Sequence, residues 1–159
     1  MKFIAIAVGH RMPGWIRDGF DEYARRMPRE AALELREVKP APRSRDASPS
    51  AVQRLLAAEH RSIAALLPER CYTVLLDERG IAFSTGELAT RMAQWREAGR
   101  DVAFIVGGAD GTAAALRSQA DLIWSLSRLT LPHGLVRVIL AEQVYRAHSL
   151  LSGHPYHRG

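Results

Sequence analysis

The C-terminal fifth of the chain gathers side chains that are suited to proton transfer and phosphate binding. Histidine titrates near neutral pH, and arginine binds phosphate or carboxylate through two parallel hydrogen bonds. This stretch has a single acidic residue, Glu142, among four histidines and four arginines: His133, His148, His154, His157, Arg128, Arg137, Arg146 and Arg158. The set favours an RNA- or phosphate-binding function. A solvated basic helix face followed by a frayed tail is the alternative.

Arg137 differs from the other basic residues in its sequence environment. It lies between Leu135-Val136 and Val138-Ile139-Leu140 in a predicted helix. Because arginine is seldom surrounded by apolar residues unless it is paired, we expect this side chain to be packed and bonded. Glu142 and Arg146 stand four residues apart on the same helix, and this spacing predicts a salt bridge rather than a catalytic pair.

A glycine-rich turn is the second candidate for chemistry. Gly107-Gly108-Ala109-Asp110-Gly111 follows a predicted buried strand and precedes a predicted helix. Glycine lets a ligand approach the backbone closely, and a helix N-terminus attracts anionic groups, so this turn indicates a nucleotide-like ligand. A tight strand-to-helix turn without any ligand is the other interpretation. The segment does not have the G-x-G-x-x-G dinucleotide pattern.

Several reaction classes lack their sequence motifs. The chain has no G-x-x-x-x-G-K-[ST] phosphate loop, no G-x-S-x-G hydrolase elbow, and neither H-E-x-x-H nor C-x-x-C. We therefore expect no metal site. Cys71 is the only cysteine and opens an apolar strand, which is typical of an inert buried thiol.

Strands and helices alternate along the sequence, and their order determines where the candidate residues meet. The apolar patterns predict strands at 3–8, 33–38, 71–76, 102–106 and 122–126, and helices at about 15–23, 48–66, 84–99, 112–118 and 133–151. This alternation predicts one α/β domain over residues 1–159, with a mostly parallel sheet and helices on both faces. Ligands bind beyond the carboxyl ends of such strands, so we expect the site near Gly9, Asp77, Gly107 and the 125–132 loop.

Composition limits the cellular setting. The chain has 159 residues, a net charge of +5 and no apolar run near the roughly 18 residues of a membrane-spanning helix. With a single thiol, we expect a cytoplasmic protein without a disulfide or membrane contact. All but two of its 22 basic residues are arginines, which favours a phosphate partner, although a GC-rich genome gives the same bias. The proline-rich segment Lys39–Pro49 predicts a mobile loop within the domain.

The order of several motifs resembles the ribosomal RNA large subunit methyltransferase H family. The strings that carry the resemblance run through nearly the whole chain: Val8-Gly9 with Met12-Pro13 and Trp15, Gly107-Gly108, Leu129-Thr130-Leu131-Pro132-His133, Leu135-Val136-Arg137-Val138, and His154-Pro155-Tyr156-His157. The chain departs from the family at Ala109-Asp110, where proline and glutamate are frequent. It also departs at Gly134, where proline is common, and at His148, where an aromatic residue is usual.

The resemblance implies a homodimeric enzyme of the SPOUT fold with a C-terminal trefoil knot. Such enzymes use S-adenosylmethionine to methylate N3 of a pseudouridine in helix 69 of 23S ribosomal RNA. Carried over by position, the cofactor-binding residues are Leu76, Gly107, Leu126, Ser127, Arg128, Leu129, Thr130 and Leu131. The implied partners are the rRNA, free or in the large subunit or the whole ribosome, and a second copy of the chain.

The catalytic candidates follow from the chemistry of the implied reaction. Methyl transfer from a sulfonium requires nitrogen, methyl carbon and sulfur in line, and the imide N–H must lose its proton. A cation near the imide favours its anion, whereas a cation near the sulfonium repels the cofactor. We therefore expect arginine on the RNA side, and backbone groups with leucines on the cofactor side. The catalytic candidates are His154, Tyr156, His157, Arg158 and Arg137. The alternative is a non-enzymatic, ribosome-associated RNA-binding α/β module that uses the same tail without a cofactor.

Overall fold

Five strands alternate with five α-helices along residues 1–158, which the structure, a computed structural model, describes. The strands are β1 (Phe3–Val8), β2 (Leu33–Val38), β3 (Tyr72–Ala82), β4 (Val102–Val106) and β5 (Leu122–Ser125). The helices are α1 (Gly14–Ala24), α2 (Pro49–Leu66), α3 (Thr85–Ala98), α4 (Ala114–Gln119) and α5 (His133–Leu151), with short 3-10 helices at Arg29–Ala31 and Pro155–Arg158. The order of elements predicted from the sequence is confirmed.

The strands form one parallel sheet in the order β2-β1-β4-β3-β5. Central strands β1 and β4 are buried along their whole length, which explains their continuous apolar sequences. Phe3 is paired with Leu33 on one side and with Val102 on the other. Because all the strands run in the same direction, their carboxyl ends share one edge of the sheet.

Helices cover both faces of this sheet, as predicted. Alternate side chains of a strand point to opposite faces, so β1 contributes to two separate cores. Phe3 packs with residues of α1, α3 and α5 on one face. Ile4 and Ile6 pack with residues of α2 and α4 on the other. The α/β fold class is therefore confirmed, and the C-terminal trefoil knot stays a prediction.

Local sequence fixes the ends of two helices. Ser84 Oγ accepts a hydrogen bond from Glu87 N at 3.2 Å, and the Glu87 carboxylate accepts one from Ser84 N at 2.6 Å, which forms a capping box at the start of α3. Gly99 ends that helix in the left-handed conformation. Ser48 Oγ caps α2 through Ala51 N at 3.3 Å.

None of the helices in residues 1–158 combines the length and apolar character needed to cross a bilayer.

Strand β3 is longer than the sequence predicted. The expectation that it ends at Asp77 is wrong, because it continues to Ala82 and pairs again with β5 after a register shift. The polar residues after Leu76 resemble a turn, yet the shift places both Leu76 and Ile81 opposite Trp124. Glycine is required at Gly80, since a Cβ there would lie 2.6 Å from the carbonyl oxygen of Ile123.

Candidate active site

A pocket of about 550 Å³ lies at the carboxyl edge of the sheet, where β4 and β5 end, β3 shifts its pairing register and α5 begins. Its volume is in the range of pockets that hold small organic ligands. The lining includes most of the residues that the resemblance assigns to the cofactor: Leu76, Gly107, Leu126, Ser127, Leu129, Thr130 and Leu131. Arg128 is not among the lining residues. The structure thus brings together the predicted segments, with this one exception.

Hydroxyl groups shape the 126–131 loop. Ser125 Oγ donates to the carbonyl oxygen of Ser127 at 2.8 Å, and Ser127 Oγ accepts from Leu129 N at 2.9 Å. Thr130 Oγ1 donates to Glu78 Oε2 at 2.7 Å, which ties the loop to β3. These bonds hold the loop backbone beside the pocket and leave Leu129 72% exposed.

The glycine turn is constrained by its own backbone. Gly111 N donates to the carbonyl oxygen of Gly108 at 3.1 Å, and the φ angle of Gly111 is +80°. A Cβ at Gly107 would lie 2.8 Å from the carbonyl oxygen of Gly111. Both sequence-based interpretations therefore apply in part: a tight turn requires the glycines, and the same turn lines the pocket.

The Lys39–Pro49 loop is attached to this turn. Arg43 Nη2 lies 2.5 Å from Asp110 Oδ2, and Ala41 N donates to Glu59 Oε1 at 3.2 Å. Glu59 is buried, and this burial raises the pKa of its carboxyl group. The loop, which the sequence predicted to be mobile, therefore has defined contacts next to the pocket.

Asp77 lines the pocket, at a strand end where the site was expected, although it was not among the cofactor-binding or catalytic candidates. Arg117 Nη1 lies 2.5 Å from Asp77 Oδ2, and Arg79 N donates to Asp77 Oδ1 at 2.8 Å. Burial by itself would raise the pKa of Asp77, but the hydrogen bonds from Arg79 and the charge of Arg117 outweigh it and lower the pKa. Asp77 is therefore an ionised carboxylate at neutral pH. Its position after an apolar strand was the available sequence signal.

His133, the first residue of α5, is a second lining residue that was not assigned. Its Nδ1 is buried without a hydrogen-bond partner among residues 1–158. Burial, together with the charge of Arg137, lowers the pKa of His133, so the ring is neutral at pH 7. In the part of the chain that is described, no group of three or more His, Cys, Asp or Glu side chains is arranged to hold a metal ion.

Arg137 is packed and paired, as its apolar neighbours predicted. Its side chain is 1% exposed, and it donates to Glu37 Oε2 at 2.8 Å and to the carbonyl oxygen of Gly9 at 2.9 Å. Gly9 has a φ angle of +124°, and a Cβ there would lie 2.9 Å from Nη2 of Arg137, so glycine is required for this approach. Arg137 lines a neighbouring cleft rather than the 550 Å³ pocket. Its catalytic role stays a prediction.

The C-terminal tail folds back onto α5 rather than fraying. The rings of Tyr156 and Tyr145 lie 4.8 Å apart, and Tyr156 donates its hydroxyl hydrogen to Glu142 Oε1 at 3.2 Å. Burial, followed by the interactions with Tyr23 and Glu142, raises the pKa of Tyr156 well above its ordinary value. The predicted salt bridge on α5 is confirmed, because Arg146 Nε lies 2.7 Å from Glu142 Oε1.

The tail residues do not line the pocket of their own chain. None of the four candidates contributes to its walls: His154, Tyr156, His157 and Arg158. Within one chain, the structure therefore brings the predicted cofactor residues together but keeps the predicted catalytic residues apart from them. The catalytic role of the tail stays a prediction.

Comparison with family models identifies the class of protein to which this parallel sheet and strand-end pocket belong, the SPOUT methyltransferases. The family model described as "Predicted SPOUT methyltransferase" matches residues 1–157. A solved structure, that of a probable methylase family protein from Haemophilus influenzae Rd KW20, has a TM-score of 0.54 at 12% identity. The match covers 98% of this chain and 69% of that chain, and at this identity it shows the fold alone.

Sequence relatives show to which family within this class the chain belongs. The chain is 57% identical over 158 residues to the ribosomal RNA large subunit methyltransferase H of Nitrosospira multiformis. It is 56% identical over 158 residues to the protein of the same name from Burkholderia mallei strain SAVP1, and both matches cover 99% of each chain. The chain therefore belongs to the ribosomal RNA large subunit methyltransferase H family. The cofactor of SPOUT methyltransferases is S-adenosylmethionine.

Proposed function

We propose that the protein methylates N3 of a pseudouridine in helix 69 of 23S ribosomal RNA, as a cytoplasmic homodimer that uses S-adenosylmethionine. The observation that carries this proposal is the convergence of the ends of β4 and β5, the register shift of β3 and the start of α5 on one pocket, in a member of an rRNA methyltransferase family. Parallel sheets place small-molecule ligands at this edge. The rRNA is the macromolecular partner, and no metal takes part.

The lining residues fit S-adenosylmethionine in shape and charge. Gly107 has no side chain, so its backbone lines the pocket directly. The leucines of the 126–131 loop provide an apolar surface for an adenine ring. When bound, S-adenosylmethionine supplies a methyl group on a positively charged sulfur. The ionised Asp77 and the neutral His133 are compatible with that charge, and the Arg79 cation is paired with Asp77.

A second copy of the chain is the proposed source of the groups that act on the RNA. The target imide must lose a proton, and the walls of one chain's pocket contain none of the tail residues. The tail exposes His154 and Arg158, and Nδ1 of His157 has no partner within residues 1–158. A histidine of the tail accepts the imide proton, and Arg158 holds a phosphate or stabilises the imide anion. Tyr156 positions the tail.

Exposed apolar side chains support the homodimer. Trp15 is 60% exposed, Leu129 is 72% exposed, and Leu151 at the end of α5 is 39% exposed. A second copy that packs along α5 would remove such side chains from water. Light scattering at micromolar concentration tests this: a mass of twice 17.6 kDa supports the dimer, and a monomer contradicts it.

The decisive experiment maps the methyl group. The purified protein and radiolabelled S-adenosylmethionine are incubated with one substrate at a time. The three substrates, all without the modification, are free 23S rRNA, large subunits and whole ribosomes. Mass spectrometry of the nuclease fragments should find the methyl group on N3 of the pseudouridine in at least one of these substrates. The matched control is the same particle with uridine in place of pseudouridine, which should remain unmethylated or be methylated far more slowly. Methylation at another nucleotide, or equal methylation of the control, contradicts the proposal.

The non-enzymatic RNA-binding module makes a different prediction for the cofactor. Such a module needs no pocket at the sheet edge, whereas an enzyme is stabilised by a ligand that binds only its folded state. S-adenosylmethionine at one hundred times its dissociation constant should stabilise the fold by about 2.7 kcal/mol. A melting temperature that does not respond to the cofactor would support the module.

A further inference from the structure

A second concave surface lies beside the cofactor pocket and takes no part in the function proposed so far. This N-terminal cleft has a volume of about 340 Å³ and is formed by the segment after β1, by α1 and by β2. Its polar lining consists of His10, Arg11, Arg17, Glu37 and Arg137. The cleft is therefore rich in positive charge.

The charges of the N-terminal cleft do not cancel one another. Glu37 is its acidic residue, and its carboxylate is already paired with the buried Arg137. His10, Arg11 and Arg17 are exposed and form no hydrogen bond or ion pair with other side chains in residues 1–158. Two uncompensated guanidinium groups at a concave surface are suited to an anionic ligand with planar, bidentate acceptors.

The backbone holds one of these cations in place. Arg11 has a φ angle of 55°, a left-handed conformation that non-glycine residues adopt rarely and that is frequent at functional sites. The turn before it is fixed by the bond from Arg137 to the carbonyl oxygen of Gly9. After it, α1 begins at Gly14 with Pro13 as the N-cap residue, without a side-chain cap and without an acidic residue in its first turn. The positive end of this helix therefore adds to the field of the cleft.

The N-terminal cleft and the cofactor pocket share a wall. His133 lines the pocket, Arg137 lines the cleft, and both side chains lie beside Gly9, to which Arg137 donates a hydrogen bond. A Cβ built on Gly9 would lie 2.9 Å from Arg137 Nη2 and 3.5 Å from His133 Cε1. A ligand in the cleft is thus held next to the proposed cofactor pocket.

We infer that the N-terminal cleft binds backbone phosphates of the RNA that flank the target nucleotide, with Arg11 and Arg17 as the phosphate ligands. This inference rests on the proposed function for the identity of the RNA. The cleft orients the substrate and contributes affinity that is sensitive to salt, while the tail and the pocket act on the base. An acidic protein surface is the other partner that such charges would attract.

The test compares two double variants that remove the same charge from opposite edges of the sheet. Arg11→Gln with Arg17→Gln changes the cleft. Arg29→Gln with Arg70→Gln changes exposed arginines that precede β2 and β3, and Arg70 shares the left-handed backbone of Arg11, with a φ angle of 56°. The probe is a synthetic RNA hairpin of the helix 69 sequence that carries pseudouridine, titrated at several salt concentrations.

The cleft variant should bind the hairpin about tenfold more weakly at 0.1 M salt, and the slope of log affinity against log salt should fall by about 2, one for each lost phosphate contact. The control variant should keep both the affinity and the slope. Arg11→Lys with Arg17→Lys, which preserves the charge, should keep most of the slope. S-adenosylmethionine affinity, measured by calorimetry, should be unchanged in all of these proteins.

Two outcomes overturn the inference. One is a cleft variant that keeps its affinity for the hairpin and its salt dependence. The other is a control variant whose affinity for the hairpin falls as much as that of the cleft variant. The proposed function fails separately, when the wild type binds the hairpin through the cleft but leaves the pseudouridine unmethylated. Unchanged RNA binding by the cleft variant, with capture of a defined acidic protein only by the wild type, would assign the surface to a protein partner instead.

Discussion

Nη2 of Arg137 donates a hydrogen bond to the carbonyl oxygen of Gly9 at 2.9 Å, so one buried side chain joins the last helix to the end of the first strand. The same guanidinium reaches the carbonyl oxygen of Val8 at 3.3 Å and Glu37 at 2.8 Å. A buried cation needs such partners, because its desolvation is costly. Arg137 is thus a positioning residue for the wall between the pocket and the N-terminal cleft.

Replacing this arginine should destabilise the fold. Arg137→Met removes the donors of two buried carbonyl groups and the partner of Glu37, and we expect the free energy of unfolding to fall by about 2–4 kcal/mol. Urea denaturation followed by circular dichroism measures the change. Arg43→Met is the matched control, since Arg43 is 63% exposed and its pair with Asp110 should contribute less than about 1 kcal/mol. Equal losses in the two variants would contradict a structural role for the buried network.

Stability should also depend on pH through the histidines of α5. Burial is the main cause that lowers the pKa of His133 and of His148. The unfolded chain then binds protons from about pH 6.5 downward before the folded chain does, so this contribution is complete above pH 6.5 and is lost as the pH falls below it. Comparing urea midpoints at pH 7.5 and pH 5.5 measures the loss.

His148→Phe provides the comparison for the pH experiment, because it places the aromatic residue usual in the family at this position. The variant should lose less stability than the wild type between pH 7.5 and pH 5.5. Glu59, whose pKa is raised by burial, changes stability in the opposite direction but does so equally in both proteins. Carboxyl groups with lowered pKa values, such as Asp77, act only below about pH 4.5. Identical pH profiles for the two proteins would show that His148 does not contribute.

Sequence periodicity predicted the elements and the edge of the sheet that holds the pocket, for local reasons. The run Phe3–Val8 is typical of a strand covered on both faces, and the apolar flanks of Arg137 indicated a paired guanidinium. The continuation of β3 past Asp77 could not be predicted, because it depends on pairing with β5 some forty residues later. The anchoring of the tail likewise depends on the distant contact between Tyr156 and Tyr145.

Gly107 should be sensitive even to a methyl group. A Cβ at Gly107 would lie 2.8 Å from the carbonyl oxygen of Gly111 and 2.8 Å from Thr112 Cγ2, so the turn must shift to accept it. We expect Gly107→Ala to lower the affinity for S-adenosylmethionine at least tenfold, measured by calorimetry, and to lower the melting temperature. The larger Gly107→Val would distort the turn itself, so alanine is the sharper test.

The control for Gly107→Ala is Gly86→Ala on α3. A Cβ at Gly86 would meet only Ser84 Oγ, at 3.8 Å, and alanine in a helix is favoured over glycine by about 1 kcal/mol. This variant should keep its cofactor affinity and melt at the same temperature or higher. Unchanged cofactor affinity in a folded Gly107→Ala protein would mean that the turn does not contact the ligand.

The tail can be tested by truncation before Gly153. Because none of residues 153–158 lines the pocket, the truncated protein should bind S-adenosylmethionine with nearly unchanged affinity but lose methylation of the rRNA. Some loss of stability is expected as well, since the truncation removes the Tyr156 ring from Tyr145 and Tyr23. Methylation at the full rate by the truncated protein would exclude a catalytic role for the tail.

Mixing two inactive variants distinguishes a tail that acts on its own chain from one that acts on its partner. Gly107→Ala has a damaged pocket and an intact tail, and the truncated chain has the reverse. If the tail reaches the partner's pocket, heterodimers of the two contain one complete site, and the mixture should regain methylation after the subunits are exchanged. If the tail serves its own pocket, no chain in the mixture is complete, and the activity should remain at the level of the separate variants. The baseline is the methylation rate of the Gly107→Ala protein alone, treated in the same way. A methylation rate of the mixture above this baseline shows that the tail acts on the partner's pocket, and a rate at the baseline shows that it acts on its own.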